Sequence, residues 1–268
     1  MREIVVAIVL AVGLLAGSRV HASEDVYYHV HEHAFSFSNP FFGKFDYAQL
    51  RRGYQVYKEV CSSCHAMKQL SFRNLIDIGF TEDEVKAIAA EYTVMDGPDD
   101  EGEMFEREAV PADDFVSPFP NEKAARASNN GAYPPDLSLM AKARIGGPHY
   151  IYALLTGYSE EVPEEFSEWY DESHSKDFEL ADGMNFNKVF PGNAIAMPPP
   201  LSDEAVEYAD GAPTTLAQHA EDVTAFLVWA ASPELEERRS TGIKVMIFLF
   251  ALTALLYALK RQIWSDVH

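Results

Sequence analysis

Cysteine is nearly absent from this chain: two thiols in 268 residues, both inside Cys61-Ser62-Ser63-Cys64-His65. So small a number excludes a four-sulfur zinc site, and no histidine pair follows the cysteines at the finger-like distance that a Cys2His2 site needs. Positive charge is the second shortage. Twenty-one Lys and Arg face 42 Asp and Glu, a formal net charge of −21. A nucleic-acid partner would be repelled by that field, and a cationic protein is its natural complement. Long apolar runs are confined to the two ends of the chain.

What is present turns on the two thiols. Cysteines three positions apart, with a histidine directly after the second, let one turn of chain hold a haem by two thioether bonds while the imidazole faces the iron. A thioredoxin-like dithiol would follow a strand in a βαβ pattern, whereas a helical pattern leads into Cys61. Cys61 and Cys64 are therefore expected to carry one covalent haem c, with His65 as a metal ligand. No thiol is then left for a disulfide.

The two ends read as an address. Met1-Arg2-Glu3, an apolar run over residues 4–16 and small residues up to Ala22 are the parts of a secretory signal, with cleavage expected after Ala22. Residues 23–240 then form an exported haem domain, residues 241–260 a transmembrane anchor and residues 261–268 a cytoplasmic tail. The apolar run at 243–259 covers about 26 Å as a helix, slightly short of a hydrocarbon core of about 30 Å. Lys244 can snorkel, and Tyr257 and Trp264 can anchor at the interface. Basic pairs flank the run on both sides, so orientation follows from the signal: the haem domain outside, the tail within.

Between the ends the chain alternates helical and irregular segments. His29, His31 and His33 alternate on what reads as a solvated arm, and Asn39-Pro40-Phe41-Phe42-Gly43 as a loop laying its aromatics on a core. From Tyr47 to Val60, Leu50, Tyr54, Tyr57 and Val60 recur at helical spacing. Gly53 lies mid-helix at a cost of about 1 kcal/mol against alanine, which a close helix crossing would explain. The amphipathic helix over residues 214–231 is the expected partner, and residues 234–240 read as a charged connector. Thr81 and Glu84 form a capping box. The stretch they open, residues 81–114, holds 13 acidic and 2 basic residues, the makings of a surface that steers a basic partner. Tyr133-Pro134-Pro135-Asp136-Leu137 cannot be helical. Arg144, on a helical stretch before Gly146-Gly147-Pro148, suits a propionate as a bidentate partner. Residues 160–182 read as an irregular acidic excursion. Met197 stands directly before Pro198-Pro199-Pro200 on a stiff, extended backbone, as a thioether fixed over an iron would; Met67, Met95, Met104, Met140 and Met184 are its competitors.

Taken together, these passages resemble cytochrome c1, the haem c subunit family of the cytochrome bc1 complex. The resemblance runs through RRGYQVY into CSSCHAM, TEDEVKAIA to DGPDDEGEMF, NNGAYPPDLS, the Arg144 turn with LLTGY, FPGNAIAMPPPLSD and the closing LKRQIWS. It implies a mainly α, class I cytochrome c-like haem domain with long loop insertions and one C-terminal transmembrane helix. It further implies that His65 and Met197 ligate the iron, that Arg144 and Tyr150 lie near the propionates, and that Pro134 and Pro135 belong to the apolar cover. The implied partners are cytochrome b, the Rieske iron-sulfur protein and a basic soluble or anchored c-type cytochrome, in a dimeric complex of the bacterial inner or intracytoplasmic membrane. Two rivals share parts of the pattern: a tethered monohaem cytochrome serving a terminal oxidase, and a membrane-anchored thiol oxidoreductase.

Overall fold

The computed structural model describes residues 28–174 and 177–265, so the signal segment expected at 1–22 lies outside the described residues. Helix α1, Tyr47–Glu59, starts where the Asp46 carboxylate accepts the Ala48 and Gln49 amides, an N-cap that its sequence neighbours cannot supply. Its buried face is Leu50, Gly53, Tyr54, Val56 and Tyr57, and it passes directly into a 3-10 turn, Cys61–Ser63. A second 3-10 segment, Phe72–Ile78, leads to α2, Glu82–Ala90. There the Thr81 side chain accepts the Glu84 amide while Glu84 reaches back, the reciprocal cap read from the sequence.

The acidic stretch is more ordered than its composition suggests. Strands β1, Thr93–Asp96, and β2, Phe105–Glu108, pair antiparallel with Thr93 opposite Glu108 and Asp96 opposite Phe105. Within the connecting loop Asp99 Oδ1 accepts the Glu101 and Glu103 amides. Arg107, one of only two basic residues in the stretch, bonds both Asp96 and Asp113 and so ties the hairpin to its exit.

After the short helices α3, Glu122–Ser128, and α4, Met140–Ala143, comes α5, Gly147–Thr156. Helix α6, Glu164–His174, follows, then the two-residue strands β3, Asn185–Phe186, and β4, Ala194–Ile195, which pair antiparallel. Helix α7, Leu216–Ala231, is capped by Thr215 and buried along nearly its whole length. It crosses α1 at Gly53, where a Cβ would come within 2.1 Å of the Asp222 carbonyl oxygen and 2.7 Å of Phe226 Cβ. The helical glycine is thus explained: no side chain fits between the two backbones. Beside the crossing, Arg52 spans from Asp222, at 2.8 Å, to Asp210, at 2.8 Å.

By packing, the described residues divide into two units, residues 30–163 with 179–265, and residues 28–29 with 164–174 and 177–178. The expected irregular excursion at 160–182 therefore contains a helix. In α6, Phe166 is fully buried against Trp169, Tyr170 and Phe178. Its apolar residues are sparse among carboxylates, which hides the period from a composition reading.

Three further expectations are corrected. His33 is no part of a solvated arm: it stacks on Tyr152 at 4.1 Å and its amide donates to His149 Nδ1 at 2.9 Å. The loop aromatics do not cover the core; Phe35 and Phe37 do, while Phe41 and Phe42 are 64 % and 80 % exposed. Residues 234–240 are not a separate connector, because α8 runs unbroken over Leu235–Ile263. Glu and Arg are good helix formers, and nothing between Leu235 and Gly242 stops the turn begun after Pro233. The apolar part of α8 is not buried by any of the described residues and is long and apolar enough to cross a membrane.

Candidate functional site

The cysteine turn grows out of the end of α1. The Ser62 hydroxyl donates to the Lys58 carbonyl at 2.7 Å and the Ser63 hydroxyl to the Val60 carbonyl at 2.8 Å, so the two residues between the cysteines satisfy carbonyls that the helix leaves open. The Cys64 and His65 amides both donate to the Cys61 carbonyl, at 3.1 and 2.9 Å. Cys61 and Cys64 are free thiols rather than a disulfide. Burial, and then the neighbouring Cys64, push the Cys61 thiol up to about 12, which keeps it protonated near neutrality.

His65 Nδ1 lies 2.8 Å from the Pro135 carbonyl oxygen. A carbonyl only accepts, so Nδ1 carries the proton and the Nε2 lone pair is left to bind a metal. Burial lowers the imidazole's pKa, with the Pro135 bond opposing that shift; the neutral form that ligates is the favoured one.

The proline segment is held alongside by its neighbours. Leu137 N donates to Ala66 O at 2.8 Å, Lys68 N to Asp136 Oδ2 at 3.0 Å, and Gln69 N to Ser138 Oγ at 3.1 Å. Pro134 and Pro135 have no amide to compete for these acceptors. Asp136 and Ser138 thus hold the proline segment, whose Pro135 carbonyl meets the histidine, against residues 68 and 69, and only the polar residues in the PPDLS string pointed to them beforehand. A cleft of about 370 Å³ opens beside this segment, with Cys64, Tyr133, Pro134 and Met95 in its wall.

Met197 belongs to a second group. Its carbonyl accepts the Tyr158 hydroxyl at 3.1 Å and Asn185 Nδ2 at 3.4 Å. Asn187, fully buried, donates to the Leu154 carbonyl at 2.8 Å and accepts the Val189 and Phe190 amides at 3.0 and 3.1 Å. These bonds tie the Met197 segment to the end of α5. Tyr150 on α5 is near both Tyr158 and Arg144, and burial raises its pKa against the opposing Arg144 charge. Arg144 itself leaves α4 in extended conformation, exposed, and makes no ion pair among the described residues. The structure therefore brings Cys64, His65, Pro134 and Pro135 together on one side, with Cys64 and Pro134 in the wall of the cleft, and Arg144, Tyr150 and Met197 into a second connected set, none of which lines that cleft. Tyr158, Asn185 and Asn187 were missed from the sequence, because isolated polar residues in a loop carry no periodic signal.

The residues fit a haem: two thiols at thioether spacing, a histidine with its tautomer set for ligation, and an exposed arginine that makes no ion pair among the described residues. Fold and site together define a c-type haem domain followed by one long apolar C-terminal helix. The family model described as "Cytochrome C1 family" matches residues 35–267. Among curated relatives, cytochrome c1 of Rhodospirillum rubrum is 54 % identical over 84 % of this chain and 84 % of its own length. The mitochondrial "Cytochrome c1 1, heme protein" of Arabidopsis thaliana is 46 % identical over 94 % of this chain and 78 % of its own. The "Cytochrome b-c1 complex catalytic subunit, mitochondrial" of Candida albicans is 45 % identical over 85 % and 75 %. The chain belongs to the cytochrome c1 family.

Proposed function

We propose that the chain is the haem c subunit of a membrane-bound quinol–cytochrome c reductase, the bc1 complex, and that it takes single electrons from a Rieske iron-sulfur protein and passes them to a c-type cytochrome. The observation that carries this reading is the CxxCH turn whose histidine is oriented by Pro135, in a chain of this family. The complex is named in the Candida albicans relative, and cytochrome b is its implied neighbour.

When bound, the haem supplies a one-electron couple. The chain's residues set its environment. Cys61 and Cys64 would hold it through their sulfurs, His65 Nε2 and the Met197 thioether would ligate its iron, and soft sulfur would favour the reduced state. Arg144, which makes no ion pair among the described residues, and Tyr150 beside it would meet the propionates. Tyr133, Pro134 and Pro135 keep water from the exposed side. The acidic hairpin β1–β2, held by Arg107, steers a basic acceptor cytochrome, raising association rate more than affinity. Helix α8 anchors the domain, which we place on the periplasmic face of a bacterial inner or intracytoplasmic membrane, in a dimeric complex.

The deciding experiment is a redox-difference spectrum of the membrane fraction with identification of what co-purifies. A reduced c-type α band that travels with a b-type cytochrome and an iron-sulfur protein is expected. A c band that travels with a terminal oxidase would overturn the reading, and the absence of any c band would overturn the haem as well. In the same preparation, Met197→Leu should abolish the methionine-sulfur charge-transfer absorption and lower the midpoint potential; an unchanged spectrum would move the ligand elsewhere.

A further inference from the structure

Phe41 and Phe42 are the most conspicuous unexplained feature of the haem unit. Two consecutive aromatics stand 64 % and 80 % exposed, yet the loop that carries them is tightly built. Asn39 Oδ1 accepts both of their amides at 2.9 Å, and the Gly43 amide returns to the Asn39 carbonyl at 3.0 Å. A Cβ on Gly43 would lie 2.5 Å from the Phe37 carbonyl oxygen, so the loop closes only because that residue is glycine. An ordered turn presenting two phenylalanines to the outside has an apolar destination.

The start of α8 says where that destination lies. Arg239 Nη1 donates to the Phe37 carbonyl at 2.8 Å and to the Gly43 carbonyl at 3.1 Å, which clamps both ends of the loop. One turn earlier Glu236 Oε1 accepts the Phe45 amide at 2.7 Å. The loop is therefore fixed to the first turns of α8 and moves with it. Arg239 precedes Ile243, where the apolar run begins, by four residues, or about 6 Å along the axis. That places the loop at the level where the helix enters apolar surroundings, the depth at which aromatic side chains collect in membrane proteins. Exposed Lys44 and Arg238 stand beside it for anionic headgroups.

We propose that Phe41 and Phe42 insert into the headgroup–acyl boundary of the same bilayer that α8 crosses, as a second, shallow membrane contact. This rests on the reading of α8 as a membrane anchor. A single helix leaves a domain free to tilt about its exit point. A wedge clamped to that helix through Arg239 and Glu236 restrains the tilt, and with it the height of the haem cleft above the membrane.

The test uses the full-length, haem-loaded chain in liposomes of phosphatidylcholine and phosphatidylglycerol. With Cys61 and Cys64 in thioether bonds, a single new cysteine takes a nitroxide label at residue 42 (Phe42→Cys), at Leu252 in the helix (Leu252→Cys) or at exposed Asp77 (Asp77→Cys). Reconstitution should cut the access of a water-soluble nickel chelate to the label at 42 several-fold relative to 77, and raise access of oxygen. If 42 stays as open to nickel as 77 while 252 is shielded, the wedge is wrong and the anchor stands. If 252 is open as well, the anchor reading itself fails. If 42 is closed to both oxygen and nickel, protein rather than lipid covers the loop and the proposal is overturned.

Discussion

Behind His65 stands a helix crossing with no room for a methyl group; behind Met197 stand hydrogen bonds from three side chains. The first support is α1 against α7, backbone to backbone at Gly53, reinforced by Arg52 reaching buried Asp222. It is made of area and close packing, and it cannot loosen without disrupting the core. The second is local: Tyr158 and Asn185 on the Met197 carbonyl, and Asn187 joining that loop to α5. Two-residue strands add little to it. The difference teaches that the His65 side is coupled to global unfolding, whereas the Met197 side can open at a lower free energy without the fold being lost.

The strongest challenge to this comparison is Gly53→Ala. Forcing a methyl against the Asp222 carbonyl should cost about 3 kcal/mol, the upper part of the usual overpacking range. The thermal midpoint by far-ultraviolet circular dichroism should fall by roughly 6–12 °C. An unchanged midpoint would mean that the helices part freely and that close packing at Gly53 is not what supports the His65 side.

Asn187→Ala comes next. It leaves the half-buried Val189 and Phe190 amides without their acceptor, at about 1 kcal/mol for each bond lost, and the loss should be local. The methionine-sulfur absorption should then disappear on heating well before the helical signal does. If both vanish together, the two supports form one cooperative unit and the contrast is wrong. Tyr158→Phe removes a single hydroxyl donor and should shift the same absorption in the same direction by about 1 kcal/mol. A shift larger than that of Asn187→Ala would relocate the main support to the tyrosine.

The smallest effect concerns the acidic hairpin, which neither support reaches. Bonds from Arg107, then the Val110 amide, hold the Asp113 carboxyl down from 3.8 to about 2. A depressed carboxyl stabilises the folded form fully above its unfolded value and loses that contribution as pH falls through the folded one. Protection of the Val110 amide, taken as the ratio of intrinsic to observed exchange rate, should therefore be unaffected down to about pH 4 and fall between about pH 4 and 2; a fall already near neutrality would show that the ion pair is not what fastens the hairpin.

Local chemistry spoke clearly in the residue string. The thiol spacing, the Thr81–Glu84 cap, the face of α1 and the apolar run of α8 all depend on neighbours within a few positions, and such patterns survive in one dimension. Gly53 was legible as a crossing point because a glycine inside a helix costs stability that something must offset. The hairpin β1–β2 and helix α6 were not legible, since dense carboxylates masked the few apolar residues that fix their periods. Nor was the direction of Phe41 and Phe42, which reversed from inward to outward.

What only the folded chain could decide were pairings across long separations: Pro135 with His65, Tyr158 with Met197, Arg239 with the loop at Phe37 and Gly43. Each joins a donor to an acceptor tens to hundreds of positions away. Hydrogen bonding is short-ranged and directional, so composition can supply the groups, but only packing of the helices brings them within 3 Å or so of one another.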